Sequence, residues 1–263
     1  MLGIFNKELV NAPKELNSPP AAAAHPHNRV VGKPKQVVPE ECLKRFLSTH
    51  PNAFSLSFAN NAATLAFDPP PTPYPNHRLF SGVDDIYCTF LGNLNNLSSL
   101  NKQYGLSKCG NEAMFVIEAY RTLRDRGPYP AHQVLKGLEG SFGFVLYDTK
   151  AKTVFISLSA DGGVKLYWGI GTDGSVMISD NLDLIKASCA KSFAPFPTGC
   201  MYHSEGGLMS FEHPTNKLKA MPRVDSEGFM CGSNFKVDVY SKTKSMPRVG
   251  SEANWADNWG QQA

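Results

Sequence analysis

Ser141-Phe142-Gly143-Phe144-Val145-Leu146-Tyr147-Asp148, inside a stretch running from Leu138 to Ser179, decides the fold. Aromatic and β-branched residues fill it, as they fill strands. A Thr149-Lys150 turn leads to Thr153-Val154-Phe155-Ile156-Ser157-Leu158, which reads as a second strand. After Ala160-Asp161-Gly162-Gly163 come Lys165 to Ile170 and, past an Asp173-Gly174 turn, Ser175 to Ser179. Gly or Asp marks each break. The pattern predicts an antiparallel meander against which the other elements pack.

Toward the N-terminus, Glu112 to Arg126 predicts a helix. Ala113, Val116, Ile117, Tyr120 and Leu123 form one apolar stripe, and Asn111 stands where an N-cap belongs. Arg121, Arg124 and Arg126 sit near its C-terminal end, where the helix dipole favours cations. Helix-end arginines more often pair with carboxylates of a neighbouring element than with a ligand anion. Val134 to Leu138 predicts a short helical turn, and Ile86 to Leu91 a strand ending at Gly92-Asn93. A short helix then turns Leu97, Leu100 and Tyr104 inward. Phe54 to Phe58 alternates as a half-buried strand does, and Asn60-Asn61 turns it into Thr64 to Phe67. Pro39 opens a helix with Leu43, Phe46 and Leu47 on one face, stopped by His50-Pro51. Met1-Leu2-Gly3-Ile4-Phe5 is apolar from its first residue, which predicts a strand tied into a sheet. Residues 11–38 read as a Pro/Ala-rich surface loop, and Asp68 to His77 as irregular.

Toward the C-terminus, Asp180 is placed to cap a helix carrying Leu182, Leu184, Ile185 and Ala187. Ser192 to Pro197 reads as an aromatic crossing. Gly199 to His203 and Leu208 to Glu212 flank Glu205-Gly206-Gly207, a hairpin signal. The order of elements predicts two antiparallel sheets with helices outside. Met221-Pro222-Arg223-Val224-Asp225-Ser226-Glu227 recurs as Met246-Pro247-Arg248-Val249-Gly250-Ser251-Glu252, a single duplication rather than a solenoid period. Residues 1–240 are the expected domain and 241–263 a polar tail.

With 263 residues, 42% of them hydrophobic, the chain can bury a core, and its formal charge of +3 gives no basic face for nucleic acid. No apolar run approaches the ~20 residues of a membrane helix. Met1 to Glu8 turns polar too soon for a secretory signal. The expectation is a soluble protein of the cytoplasm, with the nucleus also open to it. Cys42, Cys88, Cys109, Cys189, Cys200 and Cys231 include no Cys-x-x-Cys and read as reduced thiols. Cys200, His203 and His213 fit no zinc spacing, so neither a metal nor a cofactor is expected. Asp161-Gly162-Gly163 reads as a sheet turn rather than a phosphate loop, because no helix start follows.

Tyr104-Gly105-Leu106 and Leu123-Arg124-Asp125-Arg126 match the motifs that name a plant family, the aluminium-induced and stem-specific proteins with YGL and LRDR motifs. The chain resembles that family from Met1 to about Val239. Val83-Asp84-Asp85-Ile86, Asn111-Glu112, Arg126-Gly127-Pro128-Tyr129-Pro130, Lys191 to Pro197 and Pro222-Arg223-Val224-Asp225 support the match. The family in turn resembles the glutaminase domain of class II glutamine amidotransferases, as in asparagine synthetase. Leu138-x-Gly140-x-Phe142-x-Phe144-x-Leu146-Tyr147-Asp148, Leu166-Tyr167, the Ser179-Asp180 step and Phe196-Pro197-x-Gly199 carry that likeness. It implies an α+β fold of the N-terminal-nucleophile hydrolase type: a four-layer αββα sandwich of two antiparallel sheets flanked by helices.

An active domain of that superfamily attacks the glutamine amide with a cysteine exposed as first residue, whose thiolate is the nucleophile. An Asn-Gly pair stabilises the oxyanion, and an Arg and an Asp hold the substrate's α-carboxylate and α-amine. Carried onto this sequence, the nucleophile falls on Leu2, whose bulk implies that Met1 stays on the chain. The oxyanion pair falls on Leu91-Gly92, with Asn93 one residue out of register. The Asp falls on Asn111, and no Arg stands between Ala59 and Phe67. Leu2, Leu91, Gly92, Asn93 and Asn111 are thus expected to line a vestigial pocket with no catalytic residue. The implied function is a catalytically inactive, stress-associated binding or scaffold protein that self-associates as a dimer or larger homo-oligomer. Two alternatives compete with it: a small-metabolite (amino acid) sensor using the vestigial pocket, and a hydrolase or amidotransferase with a non-standard nucleophile, such as Cys88, Cys109, Ser159 or a processed N-terminus. The sequence names neither ligand nor partner.

Overall fold

The computed structural model describes residues 1–17, 38–70, 78–106, 110–125, 131–224 and 230–242. Most of the Pro/Ala-rich segment, Cys109, Arg126, the second copy of the Met-Pro-Arg-Val repeat and the C-terminal tail lie outside them.

In chain order the elements are β1 (Leu2–Phe5), α1 (Pro39–Thr49), β2 (Phe54–Phe58), β3 (Ala63–Phe67), β4 (Arg78–Val83) and β5 (Ile86–Gly92). There follow α2 (Leu97–Gln103), α3 (Glu112–Asp125), α4 (Ala131–Lys136), β6 (Phe142–Asp148), β7 (Thr153–Leu158), β8 (Tyr167–Ile170) and β9 (Val176–Ser179). The last are α5 (Leu182–Cys189), β10 (Phe193–Pro195), β11 (Cys200–His203), β12 (Gly207–Ser210), β13 (Asn216–Val224) and β14 (Met230–Lys242). Two six-stranded antiparallel sheets result, ordered β10-β8-β9-β1-β3-β2 and β12-β11-β7-β6-β5-β4, with β13-β14 as a separate ribbon.

Three apolar clusters define the layers. Phe5, Leu65, Tyr147, Val154, Ile156, Trp168, Ile178 and Tyr202 fill the space between the sheets. Leu2, Ile4, Phe46, Met177 and Ile185 join the first sheet to α1 and α5. Phe90, Phe115, Ile117, Phe144, Leu146 and Phe155 join the second sheet to the helices on its outer face. The fold is therefore the expected four-layer sandwich, helices–sheet–sheet–helices. Among the described residues no helix is long and apolar enough to cross a membrane.

The stretch read as one meander is two hairpins in different sheets. β6-β7 sits in the second sheet, and β8-β9 in the first. The chain crosses at 159–166, where the Asp161 carboxylate accepts from the Ser141 and Ser159 hydroxyls and folds the loop back on β6 and β7. Alternation alone cannot tell a strand that continues a sheet from one that begins another.

The structure differs from the sequence reading at five further points. Asp180 does not cap α5; the Asn181 side chain does, accepting from the Asp183 and Leu184 amides, because Asp180 is engaged elsewhere. β4 is a strand hidden behind a proline-rich lead-in, and it pairs with β5 from Arg78↔Leu91 to Val83↔Ile86. Asp84 and Asp85, both at positive φ, make its turn, as acidic residues do when their side chains bond locally. Phe193 to Pro195 is a short strand on β8 rather than a crossing. The segment after His213 carries the ribbon β13-β14, where the first Met-Pro-Arg-Val copy lies and Arg223 donates to the Phe193 and Cys231 carbonyls. The start of the Pro/Ala-rich segment is docked, not loose: Leu16 is fully buried between the sheets.

α3 matches its reading closely. Asn111 Oδ1 accepts from the Met114 amide at 2.9 Å, as an N-cap should. At the other end Arg124 Nη1 donates to Asp148 Oδ2 at 2.7 Å and its Nε to Asp125 Oδ1 at 2.7 Å. Asp148 is fully buried, and its other oxygen accepts from the Lys150 and Ala151 amides, which closes the β6–β7 turn. One carboxylate thus ends a strand, shapes a turn and holds a helix. Arg124→Met should destabilise the fold by roughly 2–3 kcal/mol, short of the full cost of an isolated buried charge because water reaches the guanidinium. Urea unfolding checks this, and a midpoint equal to wild type would show that Asp148 is stabilised without Arg124.

Candidate functional site

β1 brings the N-terminal residues to the middle of the first sheet. Leu2 pairs with Ala66 of β3 and Ser179 of β9. Its side chain is 1% exposed and packs in the cluster with α1 and α5. Met1 points the other way, into the cluster between the sheets. The Ser179 hydroxyl donates to the Met1 carbonyl at 2.7 Å and accepts from the Asn181 amide.

A group of charges surrounds this point. The Met1 amino group donates to Asp180 Oδ1 at 2.7 Å, and Arg78 Nη2 donates to Asp180 Oδ2. Asp68 Oδ2 lies 3.8 Å from Arg78 and 3.9 Å from His50 Nε2. Burial holds the Met1 amine below its ordinary pKa, against the opposing pull of Asp180. Both oxygens of Asp180 are occupied, and its pairs link β1, β4 and the step from β9 into α5. Reading along the chain missed this group, since its members come from five separate segments. The one available signal was Arg78, a lone cation at the head of an otherwise uncharged strand.

The five residues expected to share a pocket fall in different surroundings. Leu2 is on the helix side of the first sheet and Leu91 in the core between the sheets. Gly92, at φ +90, is locked against β6: a Cβ there would stand 1.9 Å from the Ser141 carbonyl oxygen. The Asn93 amide donates to that carbonyl at 2.9 Å, and the Asn93 side chain donates to Asn95 Oδ1 in an exposed position. The backbone donor nearest the expected oxyanion pair is therefore bonded already. Asn111 is the α3 cap and also accepts from Ser81. A cavity of about 20 Å³, room for about one water, lies instead beneath α3 and α4, lined by Val116, Tyr120, Leu135 and Phe144 among other apolar residues.

The alternative nucleophiles fare no better. Burial pushes the Cys88 thiol up, with no cation beside it to oppose the shift, and such a thiol is inert. Cys42 and Cys189 are raised for the same main reason, and Cys200 is pushed up to about 12. The five described cysteines are buried thiols in no disulfide. Ser159 donates to Asp161 and accepts from the Phe142 amide at 3.1 Å, which makes it a brace for the crossing loop. Cys109 lies outside the described residues. Tyr104-Gly105-Leu106 ends α2: the Tyr104 amide donates to Leu100, Gly105 turns at φ +68, and the Leu106 amide reaches back to Asn101. Leu123-Arg124-Asp125 is the tie to Asp148 described above.

Residues 2–237 match the family described as aluminium induced protein, and the chain belongs to that family. It is 36% identical over 157 residues to the stem-specific protein TSJT1 of Nicotiana tabacum, covering 60% of this chain and 99% of that protein. It is 40% identical over 106 residues to a glutamine-hydrolysing asparagine synthetase of Zea mays, and 33% over 106 residues to one of Oryza sativa subsp. japonica. Those matches cover 40% of this chain but only 18% of each synthetase. Among solved structures, the glutamine phosphoribosylpyrophosphate amidotransferase of B. subtilis aligns over 82% of this chain and 50% of its own, at 12% identity and a TM-score of 0.48.

Two outcomes are expected. Gly105 and Gly92 both have positive φ, yet a Cβ on Gly105 meets nothing within 4 Å. Gly105→Ala should therefore cost about 1 kcal/mol from backbone strain alone, whereas Gly92→Ala should lose several times that by displacing Ser141; urea midpoints of the two compare them. The second concerns Asp161. Burial raises its pKa, but bonds from Ser141, Ser159 and the Gly163 amide outweigh burial and hold it below 3.8. A depressed carboxylate stabilises the fold above its unfolded pKa and ceases to as pH falls through its folded one. Asp161→Asn should thus be less stable than wild type at neutral pH, with the gap closing below pH 3.8. A gap that persists in acid would place the effect in packing.

Proposed function

We propose that this member of the aluminium-induced protein family is a glutaminase-type domain that has exchanged catalysis for binding: a non-hydrolysing, stress-associated scaffold that self-associates. The observation that carries the reading is Leu2. It stands where the resemblance to class II amidotransferases calls for the nucleophilic cysteine, and it is a core residue at 1% exposure. A nucleophile needs a heteroatom, access to substrate and a route for its proton; a buried leucine offers none of these.

The remaining machinery supports the same reading. The backbone donor beside the oxyanion position is bonded to Ser141, Asn111 serves its helix, and Asp180 is held by Met1 and Arg78. The sequence likeness covers 18% of the Zea mays and Oryza sativa subsp. japonica asparagine synthetases, so their whole reaction is not carried over. Stress association follows only from the description of the family.

Purified protein incubated with glutamine should release ammonia no faster than buffer, at neutral or mildly alkaline pH. Glutamine-dependent release that survives repurification and disappears on thiol alkylation would restore the hydrolase reading.

A further inference from the structure

We propose that β2 is the seam of a two-fold dimer, in which the first sheet runs on antiparallel from one copy into the next across Phe54-Ser55-Leu56-Ser57-Phe58. This deepens the self-association put forward above and rests on it. β2 is the outermost strand of its sheet, paired with β3 on one side and with no strand on the other among the described residues. An outer strand presents a row of unpaired amides and carbonyls. Proteins that stay monomeric blunt it with shortness, a proline, a bulge or a charge.

The other outer strands are guarded in these ways. β10 has 3 residues and ends in Pro195, β12 has 4 residues, and β4 opens on Arg78. β2 has no such device. It carries neither charge nor proline, and its register with β3 runs unbroken from Phe54↔Phe67 to Phe58↔Ala63.

The sequence of β2 also fits one particular occupant, a second copy of this chain. A two-fold interface must complement itself, and Phe-Ser-Leu-Ser-Phe reads the same in both directions. Antiparallel pairing centred on Leu56 sets Phe54 against the partner's Phe58, Ser55 against the partner's Ser57, and Leu56 against the partner's Leu56. Facing aromatics across strands stabilise such a pairing. Phe54 is 41% exposed although its ring touches Phe67 and Phe80 at 5.8 and 5.3 Å. Phe58 packs inward against Tyr87 and Tyr147 in tilted contacts. The partner's Phe58 would cover the open side of Phe54 and carry the aromatic layer across the axis.

Light scattering with analytical ultracentrifugation tests this at micromolar concentration. Wild type should be a dimer. Ser55→Lys/Ser57→Lys and Ser55→Glu/Ser57→Glu should each halve in mass, since each sets like charges directly opposite, and mixing the two should restore the dimer. That rescue also shows both variants folded. Leu56→Cys, which adds no charge, should give a reducible covalent dimer on mild oxidation, where wild type gives none. A wild type that is dimeric, with lysine and glutamate variants equally dimeric and no cross-link at position 56, overturns the seam while leaving self-association standing. A monomeric wild type overturns both.

Discussion

The first sheet depends on β1. It has 4 residues, yet among the described residues it alone links the β10-β8-β9 half of that sheet to the β3-β2 half. Both of its faces are covered. Leu2 and Ile4 meet α1 and α5, while Met1 and Phe5 enter the core between the sheets, and Gly3 passes where a Cβ would stand 2.9 Å from Ile178. A strand buried on both faces gains from apolar side chains at every position, roughly 2 kcal/mol for each large one. That explains why Met1 to Phe5 shows no alternation, and why a leucine at position 2 is favourable to the fold as well as unsuited to chemistry.

The same logic extends to the groups around it. A catalytic constellation keeps polar atoms unpaired until substrate arrives, at a cost in stability. Here the polar atoms already have partners: Asp180 with Met1 and Arg78, the Asn93 amide with Ser141, Asn111 with its own helix. The described thiols with raised pKa lie in surroundings that disfavour the thiolate. These are the features of a region stabilised by its own contacts. They support the proposal that the fold now serves through its surface.

How much could be read along the chain follows from which forces are local. β6, β7, α1 and α3 were legible because periodicity, caps and turn residues act over a few positions. The crossing from β7 to β8 was not, since Asp161 acts through hydroxyls that flank two strands, Ser141 before β6 and Ser159 after β7. Asp180 was misplaced for a related reason. As a residue before a helix it looks like a cap, and only the fold brings Met1 and Arg78 to it. β4 was obscured by its proline-rich lead-in, and β13-β14 by the charged residues on its exposed face. That residue 2 is a leucine with no heteroatom was legible, because it is a matter of identity at one position. The separation of Leu2 from Leu91 was not, because that depends on which side of a sheet each residue faces.

The two strings read in the sequence as family motifs act as structural devices in this fold. Tyr104-Gly105-Leu106 closes α2 with a left-handed glycine, and the Tyr104 ring rests edge-on against Phe115 of α3 at 5.5 Å. Leu123-Arg124-Asp125 fixes the far end of α3 to Asp148. Together they hold α2 and both ends of α3 over the second sheet, the face opposite to the one on which Leu2 packs. In a working hydrolase the distinguishing residues gather where bonds are made. Here they stiffen the helical layer over the second sheet, away from Leu2, which fits the proposal of a domain that serves through its surface.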